Sequence, residues 1–428
     1  MADIGSLYES DRHENTCRDC LTGSVTADVA VIGGGLSGIS TALHLARQGV
    51  SVALLEAETP GWGASGRNGG QINPGLKFSP QEIIAHFGPT VGTRLVDEAW
   101  RAPDLVFDLI RHYAISCDAA RGGTIRAATA PQQLPPLRAL MAECAALEAP
   151  VHWLDAKAMA ERTGSDFYCG GLLDDRGGQL DPLAYTNGLA RAATQEGARL
   201  YANSRVVSLK RQNGRWQAAT LRGAVTAEKV IVATNGYTGP LWNDLRRSVV
   251  PVYSSIIASA PLPRPLRDRI LARRESLYEL GQITTYYRVD GQGRLLMGGR
   301  SFSHPAQGPE KFAYLAKRAA MLWPALGDLA WTHGWNGQLA VTLDHYPHWH
   351  EPAPGLLAVL GYNGRGVAMA TLMGRAIADY LSGREPPLFP PTPVKPIWGH
   401  AFWPLGVTGR IAWGRVMDCV DHGFSRKA

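Results

Sequence analysis

The chain has 428 residues, which at about 100–200 residues per domain points to two joined domains with ample core. Hydrophobic residues make up 45% and charged residues 19%, a balance that excludes a disordered protein. The 43 Lys+Arg and 37 Asp+Glu leave a net charge of +6, too thinly spread to favour nucleic acid as a partner.

Residues 1–26 read as a polar N-terminal tail without a signal-peptide core. No apolar run reaches the ~18 residues of a membrane span, so a cytoplasmic protein is expected. Cys17 and Cys20 form a C-x-x-C near His13, but no second ligand pair follows, so no metal is expected.

Residues 28–33 (DVAVIG) are an apolar, β-branched run that predicts a buried parallel strand. Residues 33–38 (GGGLSG) supply G-x-G-x-x-G, and Ile39, Ala42, Leu43 and Ala46 then recur at helical spacing, with Gly49 suited to the helix end. Residues 51–56 (SVALLE) predict a second strand that ends in an acid, Glu56, close to the ~20-residue offset of a dinucleotide fingerprint. Gly33 permits a tight turn, Gly35 lets the backbone approach a pyrophosphate, and Gly38 lets the helix pack closely on the strand. The helix start offers N–H donors to phosphate, and Glu56 can accept from ribose hydroxyls.

Residues 58–74 (ETPGWGASGRNGGQINP) decide between two dinucleotides. A nicotinamide-binding domain would continue into another crossover helix. Here a long loop follows, with five glycines around Arg67, able to lie flat against a cofactor and bind an anion through its N–H groups.

Further along, residues 80–160 are mostly helical by pattern, with Val96, Trp100, Leu105, Val106 and Leu109 on one face. Residues 182–198 predict a helix, and residues 200–230 predict strands with turns at Asn213-Gly214 and Arg222-Gly223. Residues 283–289 and 294–299 predict two strands joined by a turn at 290–293. Residues 356–360 predict a buried strand, residues 361–366 a turn, and residues 367–381 a helix whose N-terminus can stabilise negative charge.

The order GGGLSG, LLE, GASGRNGGQ resembles the D-amino-acid-oxidase superfamily of FAD-dependent enzymes, closest to the bacterial γ-glutamylputrescine oxidase and L-pipecolate oxidase branch. GQLDP at 178–182, KVIVATNGY at 229–237 and GYNGRGV at 361–367 match further landmarks of that family. The resemblance implies an α/β fold: a Rossmann-like FAD-binding domain (GR2-type) from residues 27–90, 160–250 and 336–384. Interleaved with it is an antiparallel-sheet substrate domain from residues 91–159 and 251–335. Residues 385–428 remain as a proline-rich spacer and tail.

The same resemblance implies FAD. Some relatives attach it through a histidine or cysteine, but no histidine occurs here between Leu54 and Ala85 and no cysteine between Cys169 and Cys419, so non-covalent FAD is expected. Its binding residues would be Gly33, Gly35, Leu36, Ser37 and Gly38, then Glu56 and Ala57. The run Ala64, Ser65, Gly66, Arg67, Asn68, Gly69, Gly70 and Gln71 follows. Val206 or Val207 would contact adenine through its backbone. Ala233, Thr234 and Asn235, then Gly361, Gly364, Arg365, Gly366 and Val367, complete the set. Arg365 stands where relatives often carry histidine, and would place a permanent cation near the flavin.

The implied chemistry is hydride transfer from the α-carbon of an amine to flavin N5, giving an imine. The amine must react neutral, and a carboxylate on the substrate needs a cationic clamp. Arg67, Arg288, Arg300 and Arg365 are the candidates. Strand alternation places Tyr286 and Arg288 on one face and Tyr287 on the other, so either that pair or Tyr287 alone faces the pocket. Tyr286, Arg288, Tyr287 and Arg365 are the candidate catalytic residues. His333 and His345 read as packed or solvated. No lysine occurs in residues 250–256, where some relatives place one near the flavin, so the electron acceptor is either O2 or a membrane quinone.

The tail, residues 397–428, mixes Trp398, Phe402, Trp403 and Trp413 with Arg410, Arg415, Arg426 and Lys427. It reads either as a segment packed across the protein or as an interfacial helix on an anionic membrane. The expected substrate is a small amine or imino acid, led by L-pipecolate, with a γ-glutamyl amine as alternative. An NAD-dependent dehydrogenase or a non-catalytic nucleotide module is the contrasting reading.

Overall fold

The computed structural model describes residues 5–11, 19–300 and 304–425; Cys17 and His13 lie outside them. The strand read at 28–33 begins earlier and runs Gly23–Ile32. It pairs in parallel with Val52–Leu55 on one side and Gly223–Val232 on the other. Arg199–Tyr201 and Leu356–Leu360 extend the parallel core at either end. Val52–Leu55 and Leu356–Leu360 are completely buried because both faces of the sheet are covered, one by helices and the other by Trp216 and Ala218 with Leu245 and Val249. Ser208–Gln212 and Arg215–Ala219 hang from Gly223–Val232 as an antiparallel meander, turning at Asn213-Gly214.

Helix Leu36–Arg47 is buried along almost its whole length between the sheet and the helices Pro182–Gln195 and Gly366–Leu381. One consequence is a buried histidine. His44 is 8% exposed, and burial, then Arg47 and Arg375, pull its pKa down to about 3. The folded state therefore holds it neutral while the unfolded chain protonates near pH 6.5. Stability from this group is complete above pH 6.5 and falls by up to about 1.4 kcal/mol per pH unit below it. Denaturant titrations at pH 5 and 7 should show His44→Gln flattening that slope; an unchanged slope refutes the assignment.

The second sheet runs Trp331–Val341, Val250–Pro261, Arg294–Arg300, Tyr286–Val289, Ser276–Leu280, Thr124–Ala128, Gly170–Asp174 and Val151–Asp155. All its neighbours are antiparallel except Ser276–Leu280 with Thr124–Ala128. Gly170–Asp174, from the segment assigned by resemblance to FAD binding, pairs in this second sheet. One face carries a core of Ile257, Tyr287, Met297 and Phe312 under helix Ala313–Leu322. The other face turns toward the first sheet, and the register of its strands builds the site.

The N-terminal segment departs from a loose tail. Leu7–Ser10 forms a short helix that buries Leu7 and Tyr8 beside Leu183, Ile256 and Trp335. Tyr8 packs edge-on against Trp335 at 5.2 Å and donates its hydroxyl to the Asn68 carbonyl at 3.0 Å. At the other end, Trp403–Ser425 is a helix whose Val407 and Ile411 pack with Val252 and Ile283. The tail is thus docked on the protein, while Trp398, Phe402, Leu405 and Trp413 stay exposed.

Candidate active site

A cavity of about 400 Å³ opens between the two sheets, within the roughly 300–1,000 Å³ of ligand pockets. One end is built from the glycine turn. Gly35, Leu36 and Ser37 line it, together with Ala64, Ser65, Arg67, Asn68, Gly69 and Gln71 of the following loop. Ser65 Oγ accepts the Leu36 N–H at 2.9 Å, tying the loop to the start of helix Leu36–Arg47. Gly33, Gly38 and Gly66 lie behind that lining as packing positions.

Glu56 ends its strand as expected. Its carboxylate accepts N–H groups from Gly34 at 2.5 Å and Glu58 at 2.9 Å, and burial raises its pKa. Ala57 follows it in the turn. Val206 is buried beside this strand end, whereas Val207 is exposed and its N–H is bonded to the Ala219 carbonyl. Of the two adenine candidates, only Val206 keeps its N–H out of that meander bond.

The middle of the cavity is closed by Ala233, Asn235 and the late loop. Asn235 Oδ1 accepts the Gly361 N–H at 2.9 Å, locking two glycine turns together. Thr234 stands behind, its hydroxyl paired with Thr238 at 2.7 Å. Gly364, Arg365, Gly366 and Val367 line the cavity at the N-terminus of helix Gly366–Leu381, which has no side-chain cap. Tyr362, missed in the sequence, lines it too and shares a hydrogen bond with Ser37 at 2.5 Å.

These features fit FAD on the structure's own terms. Helix Gly366–Leu381 opens onto the cavity without a side-chain cap, and Arg67 leaves its buried Nε without a partner. Arg67 reaches the Tyr237 hydroxyl at 3.3 Å and lies 4.2 Å over the Trp62 ring, so its guanidinium is held at the cavity wall.

The far wall is one face of the second sheet. Arg126 is in register with Tyr278, Tyr278 with Tyr286, and Tyr286 with Gly298. Ser254 is in register with Arg300 and bonds the Tyr286 hydroxyl at 2.8 Å. Arg126, Tyr278, Tyr286, Ser254 and Arg300 all line the cavity, joined by Lys77 from the loop after the glycine run. Arg365 donates to the Tyr278 hydroxyl at 2.8 Å and to the Pro74 carbonyl at 3.1 Å.

The alternation question therefore resolves toward the Tyr286 face, with a correction for its neighbours. Tyr287 is 0% exposed and sits in the opposite core against Trp323, 4.9 Å between rings. Arg288 shares the face of Tyr286 but lies farther along, outside the cavity lining and 2% exposed. It donates to the Gly69 carbonyl at 2.6 Å, to Gln179 Oε1 at 3.0 Å and to the Tyr8 hydroxyl at 3.2 Å. It is a brace under the cofactor loop. Gly70 is part of that brace: its φ is +72° and its N–H meets Asn68 Oδ1 at 2.8 Å. His333 and His345 do not line the cavity.

Charge on this wall is one-sided. Among the described residues the lining carries the cations Arg67, Lys77, Arg126, Arg300 and Arg365 against one carboxylate, Glu279. Glu279 is already engaged by Arg318 at 2.8 Å and by the Tyr168 hydroxyl at 3.0 Å. Burial, then Arg300 and Arg365, lowers the pKa of Lys77, and burial lowers those of Arg300 and Arg365.

A family model described as DAO, FAD dependent oxidoreductase, matches residues 28–380. The chain belongs to this family of FAD-dependent oxidoreductases. A probable oxidoreductase OrdL of Haemophilus influenzae is 32% identical over 396 residues, spanning 89% of both chains. The gamma-glutamylputrescine oxidoreductase of Escherichia coli is 31% identical over 390 residues, spanning 88% of this chain and 89% of that one. The crystal structure of glycine oxidase from Geobacillus kaustophilus superposes with a TM-score of 0.73 at 24% identity, covering 84% of this chain and 96% of that one, which shows a common fold. The DAO-family chain is thus an FAD-dependent enzyme acting on amines or amino acids, as the glycine turn and loop indicated. Its C-terminal helix lies beyond the family match.

Proposed function

We propose that this enzyme oxidises the C–N bond of an amine that carries a carboxylate, with a cyclic secondary amino acid such as L-pipecolate as lead substrate. The carrying observation is the surplus of cations on the substrate wall. An amino acid reacting with its amine neutral is an anion, and this wall attracts it. The same field disfavours an ammonium, so it helps hold the amine in its neutral form without a carboxylate base. Bound FAD supplies the oxidant, taking up the hydride equivalent that leaves the α-carbon. Tyr286, held by Ser254, and Arg365 are the candidate catalytic groups that face the reacting space; Arg126 or Arg300, at opposite ends of the wall, supplies the carboxylate clamp. The imine product hydrolyses in water or cyclises.

A γ-glutamyl amine is the second reading, favoured by the 31% identity to a gamma-glutamylputrescine oxidoreductase. Such a substrate brings an additional ammonium toward the cations. Anaerobic titration of the holoenzyme with L-pipecolate, L-proline, sarcosine and γ-glutamylputrescine distinguishes them. Bleaching of the ~450 nm flavin band by a cyclic amino acid is expected. Bleaching by γ-glutamylputrescine alone overturns the lead.

For the electron acceptor we propose O2 or a membrane quinone. Lys77 brings an ammonium to the cavity from outside residues 250–256, which keeps O2 in play. Among the described residues no helix is long and apolar enough to cross a membrane. The exposed Trp398, Phe402, Leu405 and Trp413 support a peripheral contact with an anionic inner membrane face. Deleting residues 397–428 should then move the enzyme out of the membrane fraction; an identical distribution of both forms counts against docking.

A further inference from the structure

The substrate wall has two positive poles, not one. The first is Arg126 beside Arg365 and Tyr278. The second is Arg300 beside Ser254 and Tyr286. The register separates them: Arg126 and Arg300 stand on strands three spacings apart in the sheet, roughly 14 Å at about 4.8 Å per spacing. Arg365 feels Arg126, Arg300 feels Tyr286 and Arg410, and Lys77 feels both Arg300 and Arg365, so it belongs to neither pole alone.

The side chains of Arg126, Arg300 and Lys77 make no hydrogen bond or ion pair among the described residues, although all three line the cavity. Arg365 differs, since its guanidinium is spent on Pro74 and Tyr278. A single carboxylate occupies one guanidinium fork. It leaves the other pole uncompensated on a half-buried wall, where like charges already repel. Among the described residues the one lining carboxylate, Glu279, is taken by Arg318 and Tyr168 and cannot balance either pole.

We propose that the cavity takes an amine with two anionic groups, one at each pole, the reacting C–N bond lying between them over Tyr286. An amino dicarboxylic acid is the class that fits. The proposal rests on the amine-oxidation reading and sharpens its substrate.

The test uses the FAD-loaded enzyme and two kinds of probe. Redox-inert acids are titrated against the flavin spectrum: succinate, glutarate and adipate beside acetate, propionate and butyrate. The expected result is that one dicarboxylate binds at least roughly ten-fold tighter than its monocarboxylate counterpart, with an optimum of chain length. Arg126→Gln and Arg300→Gln should each reduce that preference to about two-fold or less, with the flavin spectrum reporting that the cofactor site is intact. Dicarboxylates that bind no tighter, or a preference untouched by Arg300→Gln, overturn the proposal. Reduction rates then compare glutamate with norvaline and 2-aminoadipate with norleucine, in both enantiomers, with the acidic member expected to be faster. If only neutral amino acids bleach the flavin, the two-pole proposal fails and amine oxidation stands. If no amine bleaches it, the amine-oxidation reading fails, and the inert-acid titration still reports on the poles.

Discussion

Gly38→Ala should give a colourless protein that no longer retains FAD. A Cβ at this position would stand 2.0 Å from the Gly33 carbonyl oxygen and 3.2 Å from Val31 Cγ1. The backbone carbonyl cannot yield, so helix Leu36–Arg47 must move off the strand. Its N-terminus is the part proposed to meet the pyrophosphate, and an ångström of retreat would break several such N–H contacts together. The packing strain itself costs about 1–3 kcal/mol, which the large surrounding core tolerates. The folded protein should therefore survive while flavin content falls below roughly one-tenth of the parent. Absorbance at ~450 nm of the purified variant, read beside its thermal melt, checks this. A yellow variant with full occupancy would remove the phosphate-binding role from this turn.

Arg288→Met should loosen the cofactor loop without behaving like the loss of a substrate clamp. The guanidinium holds three acceptors, Gly69, Gln179 and Tyr8, that come from three distant parts of the chain. Methionine fills the space but leaves the Gly69 and Gln179 oxygens without this donor and Tyr8 with only its bond to the Asn68 carbonyl, at a cost of about 3 kcal/mol. Tyr8 is already buried enough for its pKa to rise to about 12, so it has no water to fall back on. The expected signature is a lower melting temperature and faster FAD loss, with the KM of the remaining holoenzyme changed less than about two-fold. Arg288→Lys should rescue little, because one ammonium cannot span the fork. A hundred-fold rise in KM with FAD fully retained would return Arg288 to the substrate site.

These two residues also mark how far the sequence alone reaches. The strand, glycine turn, helix and terminal acid of residues 28–56 depend on contacts between near neighbours, so their spacing encodes them directly. The late turn at 361–366 and the helix after it were legible for the same reason. The alternation of Tyr286, Tyr287 and Arg288 was equally plain, since it follows from the pleat of a single strand. Which face looks into the cavity was not, because that depends on what covers each side. Arg126 carries no local signal at all: it reaches the site only because Thr124–Ala128 lies parallel to Ser276–Leu280, more than a hundred residues away. Tyr8 enters through a four-residue helix too short to announce itself by periodicity. Local chemistry therefore determined the nucleotide grip, while the charge lining the substrate wall was decided by strand register and by the segments that close over the sheet, which are non-local contacts that no short window of residues encodes.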